Sequence, residues 1–233
     1  VSKSESRDLG QPYHRVEVAD GLDVKLTDRD PASVNLTADD NLLGHINTDV
    51  KDGVLQVSVR SGEWLDSKTP LSVEVGIGGV NELGASGAAH VSSSGGLLCD
   101  RVAIDATGAS RIELDSANGS ELVIWASGAS QVTVRDATSP KASFQLSGGS
   151  QLDATAGKLD DLDTNVSGGS RLQLGDAAAQ TAKLDVSGGS TVTLTASVSV
   201  TGGVSGGSEV SVRGNPPNRT LDISGGSRVS YEQ

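Results

Sequence analysis

The chain has 233 residues, of which 35% are hydrophobic, 2% aromatic and 30 are glycine, so any interior must be built from small and β-branched side chains rather than large interlocking ones. Its 18 Lys and Arg stand against 30 Asp and Glu, a net charge of −12, which repels phosphate backbones and anionic lipid surfaces and argues against nucleic acid as a partner. No apolar run approaches the roughly 20 residues of a membrane-crossing helix, so no membrane span is expected. Residues 1–12, VSKSESRDLGQP, are polar and lack periodicity, the pattern of a flexible tether. Met is absent throughout, and the chain is expected to be a mature product freed of an export signal. Residues 13–83 read as a β-rich N-terminal part, either a cap or wider coils. Strand-like runs at Ser33 to Thr37, Val54 to Arg60 and Leu71 to Ile77 are separated there by turn-rich Asp39-Asp40-Asn41 and Lys51-Asp52-Gly53.

Residues 84–233 are dominated by a repeat. A motif of Ser or Thr, Gly, Ala or Gly, then Ser or Ala recurs eight times, with its first glycine at Gly87, Gly108, Gly128, Gly148, Gly168, Gly188, Gly206 and Gly225, at intervals of 21, 20, 20, 20, 20, 18 and 19. Around each glycine the apolar positions alternate. Two residues before it stand Ala85, Ala106, Ala126, Leu146, Val166, Val186, Val204 and Ile223, and four after it Val91, Ile112, Val132, Leu152, Leu172, Val192, Val210 and Val229. Period two on both sides of a glycine pair predicts two strands meeting at a bend, each with one inward and one outward face. A coil of about 20 residues stacked on copies of itself is a parallel β-helix. The segment Val18 to Leu26 overlays Val166 to Leu174 and carries the same grammar into the N-terminal part. At the other end Tyr231-Glu232-Gln233 follows the last rung directly, and a homo-oligomer through the C-terminal rung is one way to cover it.

Two residues after the motif glycine, Ser110, Ser130, Ser150, Ser170, Ser190, Ser208 and Ser227 fall by parity inside the coil, beside Val and Leu. A buried hydroxyl without a partner is costly, so these residues are expected to form a structural serine ladder, each bonding a serine or carbonyl of the adjacent rung. No base or oxyanion site accompanies them, and no catalytic residue is assigned.

The segment from Val16 through Val24 and Leu26, then LTADDNLLGHINTDVKDGVLQV, then LSVEV and VNELGASGAAHV, leading into the SGGS repeats, resembles the bacterial family described as "putative auto-transporter adhesin, head GIN domain". The resemblance covers nearly the whole chain. It implies a right-handed parallel β-helix in an exported, envelope-associated bacterial protein of adhesin type, in the periplasm, on the outer surface or outside the cell. It carries no catalytic, ligand-binding or cofactor residues over to this sequence.

Outward positions line up on successive rungs, about 4.8 Å apart, and candidate sites fall where they do. Three residues before the glycine, Trp125 points outward between Asp105 and Gln145. An indole flanked by hydrogen-bonding groups can stack on a sugar ring or anchor a protein partner. The competing expectation is that a loop at Ser61 to Lys68, carrying Trp64, folds over it. Arg111 and Arg171 share the column three residues after the glycine and are further candidate contacts. Asp185 with Asp222, and Glu113 with Asp153, are carboxylates two rungs apart, or roughly 10 Å, slightly beyond the separation of an inverting glycosidase pair. Cys99 is alone, and His14, His45 and His90 lack metal-ligand spacing, so no metal or cofactor is assigned. The expected function is a non-enzymatic, adhesin-like binding scaffold of the bacterial envelope whose ligand is a glycan or a cell-surface protein. The alternatives are a polysaccharide-active glycosidase or lyase, and a purely structural envelope oligomer.

Overall fold

The outward and inward positions of one coil set its shape. In a computed structural model describing residues 2–28, 33–60 and 71–232, the strand Glu121–Ala126 buries Leu122, Ile124 and Ala126, and the following strand Gln131–Leu146 buries Val132, Val134, Ala137, Ser139, Ala142, Phe144 and Leu146. In Glu121–Ala126 Val123 is buried as well, while within Gln131–Leu146 alternation fails only where two exposed residues stand side by side, at Arg135-Asp136 and Pro140-Lys141. Each break turns the chain while keeping the apolar face inward. With the glycine corner, the coil therefore has three bends and three faces. Copies stack in parallel register 20 residues apart: Arg101 lies opposite Glu121, Glu121 opposite Lys141, and Gln131 opposite Gln151. The result is a parallel β-solenoid of about 8 turns. Its axis is filled by stacked side chains, among them Ile104, Ile124, Phe144, Thr164 and Leu184 in one column, each removed from water. A fully buried Leu, Ile or Phe contributes about 1.5–3 kcal/mol. One coil cannot offset the order it imposes on some 20 residues at about 1–2 kcal/mol each, so the rungs are stable only together.

The glycine corners are required twice over. Gly128 has φ of +76°, and a Cβ there would lie 2.6 Å from the carbonyl oxygen of Gly108 on the rung below. The second corner residue then selects the turn. Where it is alanine, only the first residue has positive φ, and the alanine N–H bonds the rung below: Ala109 to Gly87 O and Ala129 to Gly108 O, both at 2.7 Å. Where it is glycine, as at Gly168-Gly169 and Gly188-Gly189, both φ values are positive, between +72° and +84°, the signature of a primed turn.

The serine ladder changes one corner after the alanines end: Ser150 follows Gly148-Gly149, where Gly149 has φ of +157°, and still bonds as the serines after alanine do. Ser110, Ser130 and Ser150 donate across rungs to the carbonyls of Ala85, Ala106 and Ala126 at 3.0 to 3.1 Å, as expected from the sequence. Ser170, Ser190 and Ser208 differ: each donates within its own rung, to the carbonyl of Ser167, Ser187 or Ser205 at 2.7 Å. These six hydroxyl-bearing residues are buried. Ser227, on the last rung, is only half-buried, and its Oγ accepts from the N–H of Ser208 at 3.1 Å.

The N-terminal part departs from a simple ladder. Residues 2–8 are not a tether: Ser2–Asp8 is a strand paired antiparallel with Ser33–Asp39 over its whole length. Its polar residues have no apolar face because it is an edge strand, exposed or half-exposed along its length. Arg7 pins it, donating to the carbonyls of Leu43 and Ile46 and to Thr48 Oγ1 at 2.7 to 2.9 Å. Residues 15–27 form a genuine rung: Arg15–Val18 pairs in parallel with Glu82–Ala85, and Asp23–Thr27 with His90–Ser93. Between them the chain descends. The strands Val54–Val59 and Ser72–Gly76 add a layer under that rung, and Ile46–Lys51 and Ser33–Asp39 close it with antiparallel pairing. At the opposite end Ile223 and Tyr231 are 51% and 37% exposed, and Arg219 stacks on the Tyr231 ring at 4.2 Å.

Candidate functional site

Register converts the sequence column three residues before the glycine into a straight outward line. From the cap upward, neighbouring strands place Gln56, Glu17, Gly84, Asp105, Trp125, Gln145, Asn165 and Asp185 side by side. Around Trp125 this line sinks into a groove of about 400 Å³ walled by Asp105, Gln145, Asn165 and the corner serines Ser127, Ser147 and Ser167. Trp125 is half-buried and Gln145 exposed.

What sets this groove apart is that its polar ends are uncommitted. Among the described residues, no hydrogen bond joins the side chains of Asp105, Trp125, Gln145 or Asn165 to another residue. On the face across the glycine corner several outward groups pair with one another: Arg111 donates to Gln131 Oε1 at 2.7 Å and lies 3.7 Å from Glu113, and Gln151 donates to Asp153 at 2.6 Å. The structure thus brings Asp105, Trp125 and Gln145 together, while Arg111 and Arg171 lie on that other face, outside the groove. The loop at Ser61 to Lys68 with Trp64, expected as a cover for Trp125, lies outside the described residues.

Burial holds the Asp105 carboxyl above the usual carboxylate range; Glu17 adds to this and the Arg15 guanidinium opposes it. Arg15 and Glu17 were not singled out from the sequence. They belong to the first rung, brought beside Asp105 by the detour of the chain through the cap, so the 20-residue period does not reveal them. Arg15 bonds Glu82 at 3.0 Å and Glu17 at 2.9 Å. The carboxylates Asp185 and Asp222 share the column with Gly203 between them, while Glu113 and Asp153 are separated by Thr133. Neither pair lines the Trp125 groove. Burial and Asp100 push the Cys99 thiol up, away from the thiolate a nucleophile needs. Among the described residues no three His, Cys, Asp or Glu are placed to hold a metal ion, and no helix is long and apolar enough to cross a membrane.

A family profile described as "putative auto-transporter adhesin, head GIN domain" matches residues 12–216, which include every rung of the groove. The chain belongs to this family. Solved structures with the same solenoid are a "putative lipid binding protein" from Parabacteroides distasonis (TM-score 0.89, 17% identity, covering 100% of this chain and 97% of that one) and a "putative adhesin" from Parabacteroides merdae (TM-score 0.89, 17% identity, 100% and 96%). A second "putative adhesin" from Parabacteroides distasonis aligns with TM-score 0.88 at 20% identity, covering 100% and 97%. At such identities the likeness establishes the shared fold alone. No curated protein matches the chain.

Proposed function

We propose that this member of the family is a non-enzymatic, exported binding scaffold of the bacterial envelope, and that the groove at Trp125 takes a glycan. The observation that carries the reading is the pairing of one outward indole with uncommitted carboxylate and amide groups on adjacent rungs. An aromatic face covers the apolar face of a pyranose, and the flanking acceptors and donors meet its hydroxyls. The polar lining disfavours an acyl chain, which would strand those groups without partners. The rigid, repetitive backbone suits a ligand that is itself a repeat.

A glycan array probed with the wild-type chain and with Trp125→Ala tests the proposal. The expected outcome is binding to a defined set of glycans that falls at least about tenfold in the variant, the equivalent of about 1.4 kcal/mol. Binding unchanged by the substitution removes the site, and release of reducing or unsaturated sugars from a bound polymer removes the non-enzymatic part.

A further inference from the structure

A second cavity, of about 340 Å³, lies on the same outward line and shares Asp105 with the Trp125 groove. Its floor is Gly84, the one position of the column between Glu17 and Trp125's neighbour Asp105 that has no side chain. The gap is a notch one rung wide. Arg15 and Glu17 form one wall and Asp105 the other, with Gln56 and Ser58 at the far end. Arg15 spends two nitrogens on Glu17 and Glu82, while its Nε is buried and has no partner. A strand position where a side chain would be tolerated, yet is missing, leaves room for a ligand. The Gly84 φ lies outside the left-handed region, and a Cβ there would meet nothing nearer than Glu17 Cγ at 3.4 Å. Backbone geometry therefore does not demand glycine here.

We infer that the two cavities are one binding cleft for an uncharged, extended glycan chain lying parallel to the solenoid axis, with one sugar on Trp125 and further sugars seated over Gly84 between Asp105 and the Arg15–Glu17 pair. This rests on the glycan reading of the Trp125 groove and extends it. From Gln56 to Asn165 the line takes six rung steps of about 4.8 Å, roughly 29 Å in all, and a pyranose is about as wide as one step. A straight column on a rigid wall fits a ribbon-like β-1,4-linked chain better than one that coils. Charge limits the ligand. Glu17 and Glu82 already offset the Arg15 guanidinium and Asp105 adds a further acid, so the notch repels carboxylated or sulfated sugars. Hydroxyls meet Arg15, Glu17 and Asp105 as donor or acceptor.

Isothermal titration of the wild-type chain with neutral β-1,4-linked glucan oligomers of two to six units tests this, with Gly84→Val filling the notch and Gly84→Ala filling it partly. Folding of each variant is checked by its melting curve. The inference predicts affinity that rises at least about tenfold from dimer to hexamer in the wild type. It predicts a smaller rise in Gly84→Ala, and none in Gly84→Val, whose dimer binding stays at the wild-type level. A carboxymethylated hexamer should bind at least about tenfold more weakly than the neutral hexamer. Dimer binding that needs Trp125 but gains nothing with length, or a length gain that survives Gly84→Val, overturns the extended cleft and leaves the Trp125 reading standing. Preference for a charged hexamer overturns the ligand class. Absence of binding by every oligomer overturns the inference for this chain type, and the array result for Trp125→Ala then decides the glycan reading separately.

Discussion

At the scale of single residues, the paired glycines at five of the eight corners look equivalent in the sequence and are not. Gly188 sits against the rung below, where an added Cβ would come within 2.7 Å of the Gly168 nitrogen, whereas a Cβ on Gly189 meets nothing within 4 Å. Both have positive φ, +72° and +78°. Alanine at Gly189 therefore meets only the left-handed backbone penalty of about 1–2 kcal/mol, lessened by the lower entropy of its unfolded chain. Alanine at Gly188 must in addition force two rungs apart. Chemical denaturation of the two variants is expected to show a loss of about 1 kcal/mol for Gly189→Ala and about 3 kcal/mol or more for Gly188→Ala. Equal losses would mean that stacking distance does not select the first glycine. The same distinction explains why alanine occurs naturally in the second place, at Ala88, Ala109 and Ala129, and in no copy in the first.

At the scale of the element, the rung is the unit of stability because its ladder bonds and buried columns run only to its neighbours. Residues 169–188 span one full repeat, from Gly169 to Gly188, and their removal joins Gly168 to Gly189 with inward and outward faces unchanged. That deletion is expected to leave the far-ultraviolet circular dichroism strand-like and the melt cooperative, with a lower melting temperature. Removing only residues 169–178 puts Gln180 in the inward place of Ser170 and Gly189 in that of Ala179, takes the next glycine corner off its stack, and is expected to abolish cooperative melting. Rungs were legible in the sequence for this reason: alternation around the glycine and an interval of 18 to 21 residues run through the copies, and parity alone sends Ser110 through Ser208 inside. Less legible was the acceptor each serine chooses, since that follows the backbone of the second corner residue and not its identity: Gly149 has φ of +157° and Ser150 bonds across rungs, Gly169 has φ of +84° and Ser170 bonds within its own. The strand Ser2–Asp8 was hidden altogether. An edge strand with polar residues on both faces carries no periodic signal, and its pairing with Ser33–Asp39 is held by backbone bonds and by Arg7.

For the whole molecule, a solenoid turns sequence period into a straight surface, so residues 20 apart act as neighbours and a groove can be written by one column. Trp125 with Asp105 and Gln145 was readable in this way. Arg15, Glu17 and the notch at Gly84 were not, because the chain leaves the first rung at Thr27, builds the cap, and returns 67 residues after Arg15 to lay Glu82 against it. The cap thus does more than cover the apolar end: its detour brings charged residues from the first rung to the Asp105 end of the Trp125 groove. The account stands on Trp125 being the surface that a bound glycan touches. In a Trp64→Phe background Trp125 is the sole indole, and titration with a glycan bound on the array should shift its emission saturably, with the same midpoint as binding measured by calorimetry. Binding by calorimetry with no change in Trp125 emission would place the ligand elsewhere and contradict the account.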